Sequence, residues 1–332
     1  MKERNVGIDI LKFLAVLLIT NSHIGFLYVK FNWLATGGAI GNVLFFFCSG
    51  FTLFLKPFKS ASDFPNWYKR RINRIYPVVF AISIVRCVFF DDFHVDIISV
   101  ITDGGRWFVP TIMVLYIFIY FVGLYLRRWL NWVIAAVALI TIVWFYCIPN
   151  RDFPFAMFSY STNNIRWPLY FLYMLIGAKM GMMSSVKQNH QQADHQWRNL
   201  IYCLLGVAGF YLLTGVTDRV ESLSFLHVYS LIPMIAVAYY LYWLCMGQWA
   251  KSIYNTKAGN FIVRFVGGLC LEIYIIQICL FTTKLNFLFP LNIPIFFIIL
   301  IVVAYLCSCL GRLIRQTFQD MPYNWKEIIS VY

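Results

Sequence analysis

Charged residues are scarce in this sequence: they make up 12% of its 332 residues, while hydrophobic residues make up 61%. A soluble globular domain needs a largely polar surface, so this composition excludes one. Acidic residues are scarcest, with 14 against 27 Lys and Arg, and the formal net charge is +13. No basic segment interleaved with aromatics accompanies this excess, so nucleic acid is not an expected partner. The cations are instead typical of cytoplasmic loops that face anionic lipid.

Several other signals are missing as well. The nine cysteines form no C-x-x-C pair and no Cys/His cluster, so we expect small buried side chains and no metal site or disulfide. The first apolar run carries Asp9 and Lys12 and has no small-residue cleavage site, so it is predicted to be a retained span. No linker divides the chain, which predicts a single transmembrane domain over residues 1–332. The one polar patch, 186–198, is predicted to be a solvated cytoplasmic loop.

Apolar runs of about 20 residues recur along the whole chain, which is the length that a helix needs to cross a bilayer. The predicted fold is therefore an all-α polytopic membrane protein of about ten transmembrane helices, placed in the inner (plasma) membrane. The predicted spans are 8–28, 38–55, 75–90, 107–126, 130–148, 167–184, 199–215, 226–246, 261–283 and 291–311. With both termini cytoplasmic, most Lys and Arg fall in the inside segments, as the positive-inside rule requires.

Ionisable groups inside a span are costly, so each one is a candidate functional residue. One stripe of roughly 80° on the first predicted helix holds Asp9, Lys12, Val16, Thr20 and His23, with His23 about 16 Å deeper than Lys12. Lys12 and His23 are both expected to point into the helix bundle. Two interpretations of His23 remain open: a hydrogen-bonded interior histidine that links two helices, or a group that transfers protons at neutral pH.

The second predicted span and the segment after it carry further candidates. Small residues such as Ser49 in the second span favour close helix packing. In the segment that follows, Arg70, Arg71 and Arg74 lie at the cytoplasmic interface. These cations either anchor the span to lipid headgroups or, with Arg71 and Arg74 one helical turn apart, clamp a phosphate.

Glu272 near the middle of the ninth predicted span is either coupled to protons or paired with a cation such as Arg264 or Lys12. Trp107 at the mouth of the fourth span is predicted to be an interfacial anchor, with substrate contact as the alternative. His94 and His227 are expected to be solvated in or near outer loops.

These residues resemble the acyltransferase 3 family of integral membrane acyltransferases. The family opens with an Asp, a basic residue and a His eleven positions after it, and Asp9, Lys12 and His23 fit this pattern. The other matching segments are Phe45–Phe51, Arg71–Pro77, Trp107–Phe108 with Tyr116, and Glu272–Tyr274. Lys12 replaces the Arg that is usual in the family, and Gln277 lies where a His is common.

The resemblance implies transfer of an acyl group, usually acetyl, from a cytosolic acyl-CoA to a hydroxyl of an extracytoplasmic glycan or glycolipid. Acyl-CoA would be the donor substrate, and no permanently bound cofactor is expected. His23, with Lys12 and Asp9, would form the catalytic set, while Arg70, Arg71 and Arg74 would bind the donor. Glu272, Trp107 and Ser49 are further candidates. The oligomeric state is not predicted.

Two alternatives to an enzyme remain open at this level. The first is a glycan transporter or export factor with the same fold and no acyl transfer. The second is a structural subunit of a glycan-assembly complex.

Overall fold

Helices make up nearly all of the regular structure, and no strand occurs in the part of the chain that the structure describes. A computed structural model describes residues 5–90, 96–148, 153–154, 157–158, 164–185, 191–318 and 322–331. Within these ranges, eight helices are long and apolar enough to cross a membrane, and one bent pair makes a possible ninth. The prediction of an all-α polytopic membrane protein is therefore confirmed.

Each of the ten predicted spans coincides with a long helix or with one bent helix pair. We number the helices used below α1 (Val6–His23), α2 (Gly38–Phe54), α3 (Phe64–Phe90), α4 (Phe108–Tyr125), α5 (Leu130–Cys147), α6 (Arg166–Ser185), α7 (Gln196–Thr217), α8 (Leu231–Met246), α9 (Lys257–Gly268), α10 (Cys270–Ile276), α11 (Asn292–Thr317) and α12 (Trp325–Ile328).

Helix α6 is not among the eight apolar candidates, although it lies where the sixth span was predicted. Its middle is fully enclosed by protein, with Leu172, Tyr173 and Met174 all at 0% exposure. A helix that contacts protein more than lipid needs less apolar surface, which explains its weaker hydropathy. Both termini lie on the same side of the membrane only if the chain crosses it an even number of times. Because the described helices include eight candidate spans, or nine with the bent pair, the cytoplasmic placement of both termini stays a prediction.

The third span was predicted too short. Helix α3 begins at Phe64 rather than near residue 75, so the basic segment with Arg70, Arg71 and Arg74 is helical and not a loop. Two local signals explain the early start: Ser60 caps the preceding turn by accepting from the Ser62 N–H, and Pro65 occupies the first turn, where no N–H is needed.

The first and ninth spans also differ from prediction. Helix α1 ends at His23, five residues before the predicted end, and Gly25–Tyr28 forms a 3₁₀ turn instead. The ninth span is broken: α9 and the segment Cys270–Leu280 meet at an angle of 57°. The break follows Gly267 and Gly268. Glycine weakens a helix because it loses more conformational entropy on folding than any other residue.

The chain folds as two compact units. Unit 1 comprises Met1–Ala15, Ala39–Lys59 and Ile119–Asn260. In it α7 packs on α8, α5 packs on α6, and α2 approaches α6 at glycines. Unit 2 comprises Val16–Gly38, Ser60–Phe118 and Phe261–Tyr332. In it α3 packs on α11, and α10 contacts both.

Candidate active site

Most of the predicted site residues belong to unit 2: His23, Arg70, Arg71, Arg74, Trp107 and Glu272. Asp9, Lys12 and Ser49 belong to unit 1. The sites are therefore described unit by unit.

His23 is the last residue of α1, and its side chain is exposed rather than enclosed in the helix bundle as predicted. Because the helix ends there, the imidazole lies beside the turn that follows. Its ring packs near the ring of Phe281, with centroids 6.5 Å apart. The Phe281 ring also contacts Phe26 at 5.1 Å. The Phe281 ring thus flanks the histidine on one side, and the exposed side chain is in a suitable setting to meet a substrate.

Two asparagines that the sequence did not single out fix the turn after His23. Asn286 donates to the Phe26 carbonyl and Asn292 to the Leu27 carbonyl, each at 2.8 Å. Asn292 is completely buried. Because buried amides strongly favour a single hydrogen-bonded arrangement, these bonds set where α1 ends and hence where His23 is presented.

Two of the buried polar atoms in unit 2 that have no hydrogen-bond partner among the described residues lie within one turn of His23 or Phe281. They are the Thr20 hydroxyl, one turn before His23 on α1, and the Gln277 carbonyl oxygen, one turn before Phe281. Both side chains are at most 1% exposed. An unmet buried polar group costs roughly 1–3 kcal/mol, so its persistence in a fold points to a water or a ligand that satisfies it.

Arg71 lies against an aromatic surface in the N-terminal half of α3. Its guanidinium carbon is 5.0 Å from the centre of the Trp67 ring and 5.9 Å from that of Tyr116. The two rings meet edge to face at 6.0 Å. Cation–π contacts of this kind orient a guanidinium without using its N–H donors. The Arg71 Nε is buried and finds no acceptor in the described ranges.

Arg70 and Arg74 lie close enough to Arg71 to repel its guanidinium electrostatically. Both flanking side chains are exposed, whereas Arg71 is half-buried. One oriented guanidinium beside two solvated cations can bind an anion that carries several charges.

Glu272 is 6% exposed at the junction of α3, α10 and α11. Its carboxylate is hydrogen-bonded to Ser308, and its electrostatic neighbours are Arg312 and Arg74. The Arg312 guanidinium in turn donates to the Ser308 hydroxyl at 3.3 Å. The sequence left the role of Glu272 undecided between proton coupling and a cation partner such as Arg264 or Lys12. The structure surrounds it with two other cations, one of which belongs to the arginine cluster.

The same Arg312 holds the C-terminal segment against α11. It donates to the carbonyls of Glu327 and Ile328, each at 3.2 Å, and to that of Ser330. Arg315 pairs with the Glu327 carboxylate. The segment around α12 is therefore connected to Glu272 through a single guanidinium.

We expect Glu272→Gln to lower the stability of the protein by about 1–3 kcal/mol, because it removes the negative charge that interacts with both Arg312 and Arg74. The melting temperature of the purified protein measures this. Glu221→Gln provides the control, since Glu221 is exposed in the segment before α8. Equal melting temperatures for the two variants would show that the Glu272 carboxylate does not stabilise the protein through these arginines.

Trp107 is half-buried just before α4, and its ring meets that of Phe108 edge to face at 6.1 Å. Phe108 packs on Tyr274 at 5.1 Å. Trp107 is thus linked through Phe108 to Tyr274, two residues after Glu272.

In unit 1, Asp9 is 6% exposed and Lys12 is half-buried one turn further along α1. Both lie within electrostatic reach of Cys48, which precedes Ser49 on α2. Ser49 is half-buried, and its carbonyl accepts from the Thr52 hydroxyl at 2.9 Å. The predicted close helix approach is confirmed at Gly50, where an added Cβ would be 1.8 Å from the Met174 carbonyl oxygen of α6.

The prediction that His227 is solvated is wrong. It is 3% exposed in unit 1, and its Nδ1 is 2.9 Å from the Thr217 hydroxyl and 3.4 Å from the Asp218 carboxylate. Its Nε2 accepts from the Met157 N–H at 3.4 Å. Burial is possible because both ring nitrogens are satisfied. His94 lies outside the described residues. Within those residues, no group of three His, Cys, Asp or Glu side chains is placed to hold a metal ion.

Taken together, the helices and the two polar centres of unit 2 define a polytopic membrane protein with a cationic–aromatic site and an accessible histidine at a helix end. The chain matches the acyltransferase domain family over residues 5–312, which runs through both units. It belongs to that family, and the resemblance seen in the sequence is confirmed. No curated protein and no solved structure matches the chain.

Proposed function

We propose that this membrane acyltransferase takes an acyl group, usually acetyl, from cytosolic acyl-CoA and transfers it to a hydroxyl of an extracytoplasmic glycan or glycolipid. Arg71 and Arg74, with Arg70, hold the phosphates of the donor. His23 either takes the proton of the acceptor hydroxyl or carries the acyl group to it. Lys12, with Asp9 beside it, holds a phosphate or orients the donor. Both units act as one domain of a protein in the inner (plasma) membrane.

The arrangement of Arg71 is the observation that carries this proposal. A cation that merely anchors a helix to lipid headgroups needs no fixed direction, and Arg70 and Arg74 are exposed in that way. Arg71 is instead oriented by two rings and keeps a buried Nε that no described residue satisfies. A phosphate oxygen would satisfy it, and coenzyme A brings a diphosphate and a 3′-phosphate from the cytosol.

The acyl transfer can follow either of two mechanisms, which differ in the role of His23. With His23 as general base, its imidazole takes the proton of the acceptor hydroxyl while the oxygen bonds to the thioester carbonyl carbon. The carbon–sulfur bond then breaks, and the thiolate of coenzyme A receives the proton. With His23 as acyl carrier, its ring nitrogen attacks the thioester carbonyl carbon first, the carbon–sulfur bond breaks, and the thiolate of coenzyme A receives the proton that the ring loses. The acceptor oxygen then displaces the imidazole from the acyl group, and the ring takes up the proton of the acceptor hydroxyl.

Arg71→Ala is expected to weaken coenzyme A binding by roughly 10- to 100-fold, because a charge-assisted hydrogen bond to a phosphate contributes about 1.5–3 kcal/mol. Calorimetric titration of the purified protein with coenzyme A measures the loss. Arg128→Ala is the matched control: Arg128 is also a predicted cytoplasmic arginine, exposed and stacked on a Trp ring at 5.2 Å.

A second ligand sharpens this experiment. If the arginines bind the 3′-phosphate, the wild type prefers coenzyme A to its 3′-dephospho form, and Arg71→Ala loses that preference. If Arg71→Ala and Arg128→Ala weaken binding equally, the effect is general surface charge and the donor site is elsewhere. Unchanged binding in Arg71→Ala would leave lipid anchoring as the role of this arginine.

A further inference from the structure

The C-terminal segment, residues 322–331, folds back along α11 in unit 2. Tyr305, roughly three turns before the end of α11, donates through its hydroxyl to the Ile329 carbonyl at 2.7 Å. Closer to the end of the helix, the Gln316 side chain donates to the Glu327 carboxylate at 3.2 Å. These bonds dock the segment beside the helix that it follows.

The docked position depends on one buried apolar side chain. Ile328 is 4% exposed, whereas Ile329 beside it is 60% exposed. Apart from Ile328, the described residues of the segment are exposed or half-buried. The remaining contacts are polar bonds near the surface, and such bonds contribute little individually. The segment can therefore leave α11 while the membrane helices stay folded.

Arg312 connects this segment to the helix that carries Arg74. Its Nη1 donates to three carbonyls of the segment, and its Nη2 donates to the Ser308 hydroxyl at 3.3 Å. The preceding residue, Gly311, packs on α3: an added Cβ there would be 2.8 Å from the Val78 Cγ2 atom. Val78 follows Arg74 by one helical turn. Arg312 therefore lies where α11 contacts α3, near Arg74.

Glu272 carries a single carboxylate and has two cations, Arg312 and Arg74, as electrostatic neighbours. The three carbonyls of the C-terminal segment compete with this carboxylate for the N–H donors of Arg312. A guanidinium has five such donors in a fixed geometry, so those that bond the carbonyls are not available to Glu272. While the segment is docked, the carboxylate therefore acts more strongly on Arg74. Once the segment leaves, Arg312 loses these acceptors, and a carboxylate is a stronger acceptor than the carbonyls were.

We propose that Arg312 is a positioning residue of the donor site, and that the docked C-terminal segment restrains donor binding through it. In the docked state Arg312 is bonded to the segment, and Glu272 holds Arg74. On release Arg312 pairs with Glu272, and Arg74 becomes free to bind a phosphate. The inference rests on the proposed function, because it concerns the regulation of the site where Arg71 and Arg74 bind coenzyme A.

Ile328→Ser tests this proposal, because it releases the segment without a change of charge. Calorimetric titration of the purified full chain with coenzyme A, in phosphatidylcholine nanodiscs, gives the affinity. We expect Ile328→Ser to bind coenzyme A about two- to fivefold more tightly than the wild type, which is the size of effect that one part-exposed ion pair produces. Faster hydrogen exchange of the backbone amides of residues 324–329, measured by mass spectrometry, reports the release of the segment.

Ile329→Ser is the matched control, because it is the same substitution at the neighbouring, exposed position. It should leave both the exchange and the affinity as they are in the wild type. A second comparison adds Ile328→Ser to Glu272→Gln. That background lacks the carboxylate through which Arg312 acts, so the release of the segment should no longer change the affinity. A gain in affinity on the loss of a packing contact also distinguishes this role from a merely structural one.

The proposal is wrong if Ile328→Ser exchanges as slowly as the wild type, or if it exchanges faster but binds coenzyme A no more tightly. It is also wrong if the gain in affinity persists in the Glu272→Gln background. Failure of the proposed function gives a different result: the wild type itself does not bind coenzyme A, and both proposals fall together.

Discussion

His23→Ala is expected to lower acyl transfer by about 10²- to 10⁴-fold while the protein stays folded and still binds coenzyme A. The side chain is exposed at the end of α1, with its ring centroid 6.5 Å from that of Phe281, so its removal leaves no cavity in a packed core. Transfer of radiolabel from acetyl-CoA to the glycan fraction of membrane vesicles measures the loss. His195→Ala, at an exposed histidine of the predicted cytoplasmic face, should transfer as the wild type does.

The same pair of variants separates the enzyme from its alternatives. In cells that lack the gene, acetylation of surface glycan should be restored by the His195→Ala protein and not by His23→Ala. Restoration by both would mean that the chain exports or assembles a glycan that another protein acylates. Label that stays on the wild-type protein without acceptor, and not on His23→Ala, would identify His23 as the acyl carrier rather than the base.

Hydropathy alone placed the membrane helices well because the bilayer imposes one length on all of them. The predicted span 130–148 is observed as Leu130–Cys147, and 107–126 as Phe108–Tyr125. Where a helix continues into water, this constraint ends. The polar start of α3 was therefore assigned to a loop, although Ser60 and Pro65 mark a helix start there.

Single residue types were predictable, but their partners were not. Glu272 was recognised as a candidate because a carboxylate in a span is costly, yet Ser308 and Arg312 lie more than thirty residues further along the chain. His227 was placed in solvent because it lies in or near a predicted outer loop. Its burial depends on Thr217 and on Met157, which is seventy residues away. Pairings of this kind are set by helix packing and carry no local signal.

One missed feature was readable in the sequence. Gly177 and Gly181 are four residues apart on α6 and form the small-residue pattern that lets membrane helices approach closely. An added Cβ would be 2.0 Å from the Phe47 carbonyl oxygen at Gly177 and 2.2 Å from the Phe51 carbonyl oxygen at Gly181. Together with Gly50 on α2, these glycines bring two backbones into contact.

We therefore expect Gly177→Ala to destabilise the protein by about 1–3 kcal/mol, despite the better helix propensity of alanine. The atoms that the new methyl group would meet belong to the backbone of α2, at 2.0, 2.7 and 2.8 Å, so no flexible side chain can move aside. The two helices must separate along their whole contact. The melting temperature in nanodiscs and the yield of monodisperse protein measure the effect.

Gly215→Ala is the matched control, because Gly215 also lies within a helix of unit 1 and an added Cβ there meets no atom within 4 Å. Without a clash, only the propensity term remains, and this variant should gain up to about 1 kcal/mol. The opposite signs of the two substitutions distinguish packing from propensity. If Gly177→Ala melts as high as Gly215→Ala, the backbones of α2 and α6 are not in contact, and the role of these glycines in unit 1 must be abandoned.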